Sequence, residues 1–295
     1  MLSRNITRLL ALAVGATTAL GLGLGLGLGL GLKKKSDSHN ASTTSRTTYW
    51  KPESGTTWDY VLQNPPKLSS TNESIEVYDI DLFDSSVKLI KDLQDDGHKV
   101  VCYFSAGSYE NWRPDADNFT AADLGNDLDG WKGERWLNIS SPSTRSIMIS
   151  RLEMALEKGC DGVDPDNLDG YDNDNGLNLT HTDSINYIKY LADEAHSMNM
   201  SIGLKNCGAI IDSVIDSVEW VVDEQCVEYD ECDLYRPFID QNKPVFHVEY
   251  PKGDTVDNDN SVNGSTYREI CGFKAAQGFS SIIKNMDLDY WIESC

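Results

Sequence analysis

The chain has 295 residues, with 25 Lys+Arg against 47 Asp+Glu, a formal net charge of −22 and 40% hydrophobic residues. That apolar share is enough for a sizeable core and excludes wholesale disorder, while the length suits one barrel as well as two smaller domains. Residues 1–36 hold Arg4, Arg8, Lys33, Lys34 and Lys35 and no acid, so residues 37–295 carry 20 bases against 47 acids, a charge of −27; such a surface repels phosphate backbones, excludes nucleic acid and draws in cationic ligands.

Residues 1–32 read as a signal anchor or a signal peptide. The uncharged stretch Leu9 to Leu32 is 24 residues long, beyond the roughly 18 that mark a membrane span. Thr17 and Ala19, however, offer small residues for cleavage after the shorter apolar run Leu9–Thr18, as a secretory peptide requires. Residues 33–48 are Ser/Thr-rich and aperiodic, a disordered tether. Asn40, Asn72, Asn118, Asn138, Asn178, Asn199 and Asn263 each open an N-x-S/T triplet, against roughly three expected by chance. The chain is therefore expected outside the cell or at its surface through the secretory pathway, held by a single N-terminal membrane segment if that segment is uncleaved. The sequon asparagines are expected to be exposed.

From Tyr49 to Cys295, β-branched and aromatic runs alternate with helical patterns. Strands are expected at Trp58–Leu62, Ile75–Ile80, Lys99–Phe104, Gly162–Asp164, Ser201–Leu204, Glu219–Val222, Pro244–Val248 and Ser280–Ile283. Helices are expected over Asp84–Asp96, Ser143–Lys158 and Thr182–Met198, whose apolar residues recur on one side. Eight strands interleaved with helices point to an α/β fold, a TIM-type (β/α)8 barrel over residues 49–295. A doubly wound sheet is the alternative, but no GxGxxG turn follows a strand. Asn111–Pro142 reads as a long loop with no element of its own, carrying Trp112, Trp131 and Trp136, a candidate lid or binding wall.

In such barrels the reacting groups leave the C-terminal ends of strands. Three exits are rich in acid: Asp164-Pro165-Asp166-Asn167-Leu168-Asp169, Asp223-Glu224-Gln225 and Glu249-Tyr250. Two carboxylates facing each other across a barrel mouth are what glycoside hydrolysis needs, one ionised and one protonated. Asp166 and Glu224 are the pair that stands out; the other loop acids read as solvated or as helix caps. Tyr103, Trp112, Trp131, Trp136, Tyr171 and Tyr250 fall at or after strand exits, where aromatic faces stack on sugars or hold cations. The five histidines make no HxH or HExxH spacing, and neither acidic loop fits a calcium template, so no metal or other cofactor is expected. No GxSxG elbow occurs. The seven cysteines fit an oxidising compartment; Cys226–Cys232 and Cys271–Cys295 are expected as bridges with Cys102–Cys160 as a third, leaving Cys207 over, although spacing alone does not determine connectivity.

The segments VYDIDLF (Val77–Phe83), VCYFSAGSYENW (Val101–Trp112), CDGVDPDNLDGYDNDNG (Cys160–Gly176), IGLKN (Ile202–Asn206), DEQCVEYDEC (Asp223–Cys232) and PVFHVEYP (Pro244–Pro251) resemble glycoside hydrolase family 114, barrel enzymes of the endo-α-1,4-polygalactosaminidase type. The likeness runs from about Trp50 to Cys295. It implies hydrolysis of α-1,4-linked galactosamine in a polysaccharide such as galactosaminogalactan, with Asp166 and Glu224 as the catalytic acids. Asp166 is assigned as nucleophile and Glu224 as acid/base of a retaining mechanism; as both are carboxylates, the roles are open to exchange. Within those segments and the long loop, Asp79, Tyr103, Trp112, Trp131, Asp164, Asn167, Asp169, Tyr171, Lys205, Asn206, Glu249 and Tyr250 are the expected sugar-binding residues. Lys205 serves equally to lower the pKa of a neighbouring carboxylate. Cys207 departs from the family, whose members usually carry a small residue there. The alternatives are a hydrolase of neutral α-galactosides and a non-catalytic barrel that binds cationic glycan. A polysaccharide is the expected partner, and a monomer the expected state.

Overall fold

The computed structural model describes residues 49–253 and 255–295. The leader, the tether and Asn40 lie outside the described residues. Strands β1 (Trp58–Val61), β2 (Val77–Asp81) and β3 (Lys99–Ser105) begin the barrel. Strands β4 (Ser108–Glu110), β5 (Leu124–Asp127) and β6 (Glu134–Leu137) then form a separate antiparallel sheet in the order β4-β6-β5. Strands β7 (Gly162–Asp166), β8 (Ser201–Lys205), β9 (Trp220–Glu224), β10 (Val245–Glu249) and β11 (Ser280–Lys284) complete the parallel series, and β12 (Ile292–Ser294) pairs antiparallel with β11. The eight expected strands are all present, and their neighbours follow chain order, as in a TIM-type barrel. Between β11 and β1 side chains close the wall. Trp58 Nε1 donates to the Ser280 carbonyl at 2.7 Å, Ser280 Oγ donates to the Thr56 carbonyl at 2.6 Å, and the buried pair Lys284–Asp59 bridges at 2.8 Å.

The helices are α1 (Val87–Asp95), α2 (Pro142–Lys158), α3 (His181–Ser197), α4 (Ile211–Val214), α5 (Arg236–Asp240) and α6 (Gly264–Cys271). The three expected helices start where hydroxyl side chains satisfy free backbone donors: Ser86 accepts from Leu89 N, Ser141 from Ser143 N, and Thr180 with Asp183 makes a reciprocal capping box. Helix α2 has Pro142 in its first turn and ends at Gly159 in the left-handed region.

The period-two alternation of the strands builds two cores. One set of residues, Trp58, Tyr60, Val77, Val101, Trp220, Val222, Phe246, Val248 and Ile282, packs together inside the barrel. The alternate set, including Tyr78, Ile80, Val100, Phe104, Val163, Ile202, Val221 and Val245, packs outward with the helices. Trp220 fills the lower barrel against Gly203, where a Cβ would sit 2.1 Å from its indole nitrogen. Only glycine permits that approach.

The stretch 111–142 is not the element-free loop expected from its sequence, because it contributes β5 and β6. Their residues, LGND and ERWL, are short and polar, so periodicity does not reveal them; their partner β4 lies upstream. Arg113 pins the insert to the barrel through Asp81 (2.7 Å) and Glu110 (2.8 Å), and Arg151 of α2 reaches Asp115 at 2.9 Å. Bridges form at Cys102–Cys160, Cys226–Cys232 and Cys271–Cys295, and Cys207 is free and buried. Asn72, Asn118, Asn178, Asn199 and Asn263 are exposed, while Asn138 is half-buried. Among the described residues no helix is long and apolar enough to cross a membrane.

Candidate active site

Asp166, Lys205 and Glu224 are the last residues of three consecutive strands, β7, β8 and β9, and each follows the inward-pointing parity of its strand. Asn167, Asn206 and Gln225, which come next, all adopt left-handed backbone, with φ of 61°, 54° and 64°. Asparagine tolerates that region better than most residues, so the chain turns sharply off each strand and leaves the preceding side chain at the barrel mouth. The β3–β4 turn closes over the same point. Ala106 N and Gly107 N donate to the Asp166 carbonyl at 2.9 and 3.0 Å, and a Cβ on Gly107 would fall 1.6 Å from the Asn167 carbonyl oxygen.

The Lys205 ammonium joins the two acids. It lies 3.3 Å from Asp166 Oδ2 and 3.2 Å from Glu224 Oε2, and donates to the Tyr60 hydroxyl at 3.0 Å. Those two lengths together set an upper limit on the gap between the carboxylate oxygens; it does not pass the lower edge of the roughly 6.5–9.5 Å range of inverting pairs. Asp166 also accepts from the Tyr103 hydroxyl at 2.9 Å and from Asn167 N at 2.7 Å. Glu224 accepts from the Tyr250 hydroxyl at 2.7 Å and from Asn206 Nδ2 at 3.3 Å. Burial pushes the Glu224 carboxyl upward, but the Lys205 charge and these donors outweigh it and hold the group below the usual range. Lys205 is only 2% exposed; burial alone would lower its pKa, and the surrounding acids raise it instead.

A cavity of ≈ 300 Å³ stands above this ammonium. Of the residues expected to bind sugar, Tyr103, Trp131, Asn167, Asp169, Lys205 and Asn206 line it together with Asp166 and Glu224. The others do not. Asp79 and Asp164 are buried in the barrel below the mouth, where desolvation raises both carboxyls and the charge of Asp164 raises Asp79 further. Glu249 has outward parity: it is buried and accepts from Val227 N (2.7 Å) and bonds His247 (2.8 Å), fastening the loop after Glu224. Tyr250 meets the site through its hydroxyl on Glu224. Trp112 is exposed on the insert, and Tyr171 stacks edge-on against His181.

Sequence reasoning missed Tyr60, Leu62, Gln63, Leu128, Glu134, Met286, Asp287 and Leu288, all of which line the cavity. Met286–Leu288 leave β11, so the strand-exit rule reaches them when applied to every strand. Glu134 comes from the insert and carries no such signal. Burial pushes Glu134 up to about 7 and Asp169 up to about 6. Among the described residues one group of potential metal ligands lies close together, Cys226, Cys232 and His247, and its two sulfurs are bonded to each other.

The profile of glycoside-hydrolase family GH114 matches residues 39–295. The chain belongs to glycoside-hydrolase family GH114. It is a glycosidase. The crystal structure of Ega3 from Aspergillus fumigatus in complex with galactosamine is similar at 56% identity, covering 83% of this chain and 97% of that one, with a TM-score of 0.81. The glycoside hydrolase domain of PelA from Pseudomonas aeruginosa is 13% identical over 81% of this chain and 98% of its own, with a TM-score of 0.61, and shares the barrel fold. No curated protein matches the chain.

Proposed function

We propose that this glycosidase cleaves α-1,4-linked galactosamine polysaccharide internally, through a double displacement on Asp166 and Glu224. The observation that carries the reading is the pair of carboxylates joined by one buried ammonium at the floor of an acid-lined cavity. In the first step Asp166 attacks the anomeric carbon while Glu224 gives its proton to the departing glycosidic oxygen. A glycosyl ester on Asp166 results. Water then attacks the same carbon as Glu224 takes its proton, and the ester bond breaks. Tyr103, Asn167 N–H and Lys205 fix the orientation of Asp166, so that the carboxylate approaches the sugar in one geometry. Trp131, 58% exposed and on the cavity wall, offers a face for stacking. Asn206 and Asp169 are placed to bind sugar hydroxyls or amines. The galactosamine held by the 56% identical Ega3 supports the choice of sugar.

One observation favours the exchanged roles. Glu224 is held below the usual carboxylate range, which suits a nucleophile better than a proton donor. Azide separates the two: it rescues the Ala variant of the nucleophile by forming a glycosyl azide of inverted anomeric configuration, and that of the acid/base by forming one of retained configuration. The activity itself is tested by incubating the full chain with deacetylated α-1,4-galactosaminan. A ladder of oligosaccharides by mass spectrometry is the expected product, and an intact polymer refutes the reading. The three bridges fit an oxidising compartment, and with the exposed sequons they support a glycosylated protein outside the cell. A downward mass shift on endoglycosidase treatment tests that placement.

A further inference from the structure

We propose that Glu134 is the residue that selects the free amine of the substrate, by holding the ammonium of the sugar bound at the point of cleavage. The inference rests on the galactosaminidase reading above. Glu134 opens β6 of the insert, is 7% exposed and lines the cavity beside Asp166. One of its oxygens accepts from Ser108 Oγ at 2.6 Å. Ser108 and Ser105 share a hydrogen bond at 2.7 Å, and Asn167 Nδ2 donates to both, at 3.0 Å to Ser105 and 3.3 Å to Ser108. This chain of hydroxyls and amide fixes the carboxylate two hydrogen bonds from the residue that follows Asp166.

The position matters for chemistry. The 2-amino group sits on the carbon bonded to the anomeric carbon, so whatever reads it must border the group that attacks that carbon. Glu134 meets the condition. Its charge is also unanswered: the buried acids nearby, Glu110 and Asp81, are paired with Arg113, whereas among the described residues no cation lies within ion-pair distance of Glu134. A buried carboxylate without a cation is costly to keep, and an incoming ammonium supplies the missing partner. An N-acetylated sugar brings a neutral amide and a neutral galactoside brings a hydroxyl, and neither offers charge. Asp287 is a weaker candidate because Gln63 occupies it, and Asp169 because it is more open to water. Burial and the charges of Glu110 and Asp166 raise the Glu134 carboxyl to about 7, against the Ser108 hydrogen bond and the charge of Arg113, which lies beyond ion-pair distance, so at pH 6 a bound ammonium pulls a proton off it.

The test compares kcat/KM of the full chain and its Glu134→Gln variant on three α-1,4 oligomers: galactosamine, N-acetylgalactosamine and galactose. Asp193→Asn on the exposed face of α3 serves as the control for lost net charge. The preference for the free-amine oligomer over the other two is expected to fall by about 10- to 100-fold in Glu134→Gln and to hold in the control. Calorimetry of galactosamine binding at pH 6 in two buffers of different ionisation heat is expected to show proton release by the wild type and clearly less by the variant, in which only Asp169 remains to give up a proton. A wild-type preference for galactosamine that persists in Glu134→Gln, or equal loss on all three oligomers, overturns this assignment alone. A wild type that prefers the galactose oligomer overturns the underlying reading and this assignment with it. Should Glu134→Gln fail to fold, the calorimetric arm on the wild type decides: no proton release refutes the role.

Discussion

Replacing Lys205 with Met removes the charge on which the site is organised while nearly keeping its volume. In the folded protein the ammonium is buried and lies 3.3 and 3.2 Å from two carboxylates. Removing one partner of a buried pair leaves charge uncompensated and costs about 3–5 kcal/mol. For a domain of this size each kcal/mol moves Tm by roughly 2–4 °C, so the variant should melt about 6–20 °C lower at pH 7. The loss must depend on pH in one direction. Glu224 is held below its usual range when folded, so its contribution to stability is full above the unfolded value and disappears as pH falls through the folded one. In Lys205→Met that contribution is already missing. The Tm gap between wild type and variant should therefore be widest at pH 7 and narrow steadily towards pH 3, as followed by circular dichroism on heating. The kinetic consequence runs parallel: without the ammonium, Glu224 keeps its proton to higher pH, and the falling limb of kcat/KM moves upward. A gap that stays constant from pH 7 to pH 3, or widens, would refute the proposed electrostatic link between Lys205 and the two acids.

Asp166→Asn and Glu224→Gln should each lower kcat by at least about 10²–10⁴-fold on the galactosamine polymer while binding of galactosamine persists; near-native turnover by either variant removes that residue from the mechanism. In the wild type, kcat/KM should fall about tenfold per pH unit above the Glu224 transition, which lies in the acid range, because the leaving oxygen needs its proton; a rate that rises from pH 5 to pH 8 reverses the assignment. A charge of −27 over residues 37–295 should make kcat/KM on the cationic polymer drop steeply as salt shortens the screening length towards about 8 Å; a salt-independent rate reduces the acidity to a solubility device. Cys102→Ala with Cys160→Ala opens a bridge spanning 58 residues between β3 and the approach to β7, with an expected loss of about 2–5 kcal/mol in denaturant unfolding.

Much of this molecule is written locally. Alternation along Val77–Asp81 or Trp220–Glu224 names both the strand and its inward set, since side chains on a strand point to opposite faces by covalent geometry. The caps Ser86, Ser141 and Thr180 mark helix starts for an equally local reason. Because the ends of barrel strands converge on one mouth, Asp166 and Glu224 are legible as partners before any coordinates. The segments shared with family GH114 add the reaction class.

Depth, facing and long-range return are another matter. Asp164 belongs to the inward set yet sits below the mouth because it is one inward step before Asp166 on β7, and the level of Asp79 on β2 is set by the register with the neighbouring strands. Glu249 falls at a strand exit but on the outward face, one residue out of phase with Tyr250. Lys205 reads as a lone cation in sequence; only closure of β7, β8 and β9 side by side makes it the bridge between two acids. Glu134 reaches the cavity because β4, β5 and β6 fold back over the mouth, and their short polar strands carry no periodicity that would announce it. Residue type and local phase are decided by the chain alone. Which charges share one buried ammonium, and which carboxylate is left without a cation, is decided by contacts between distant segments, and those exist only in the folded state.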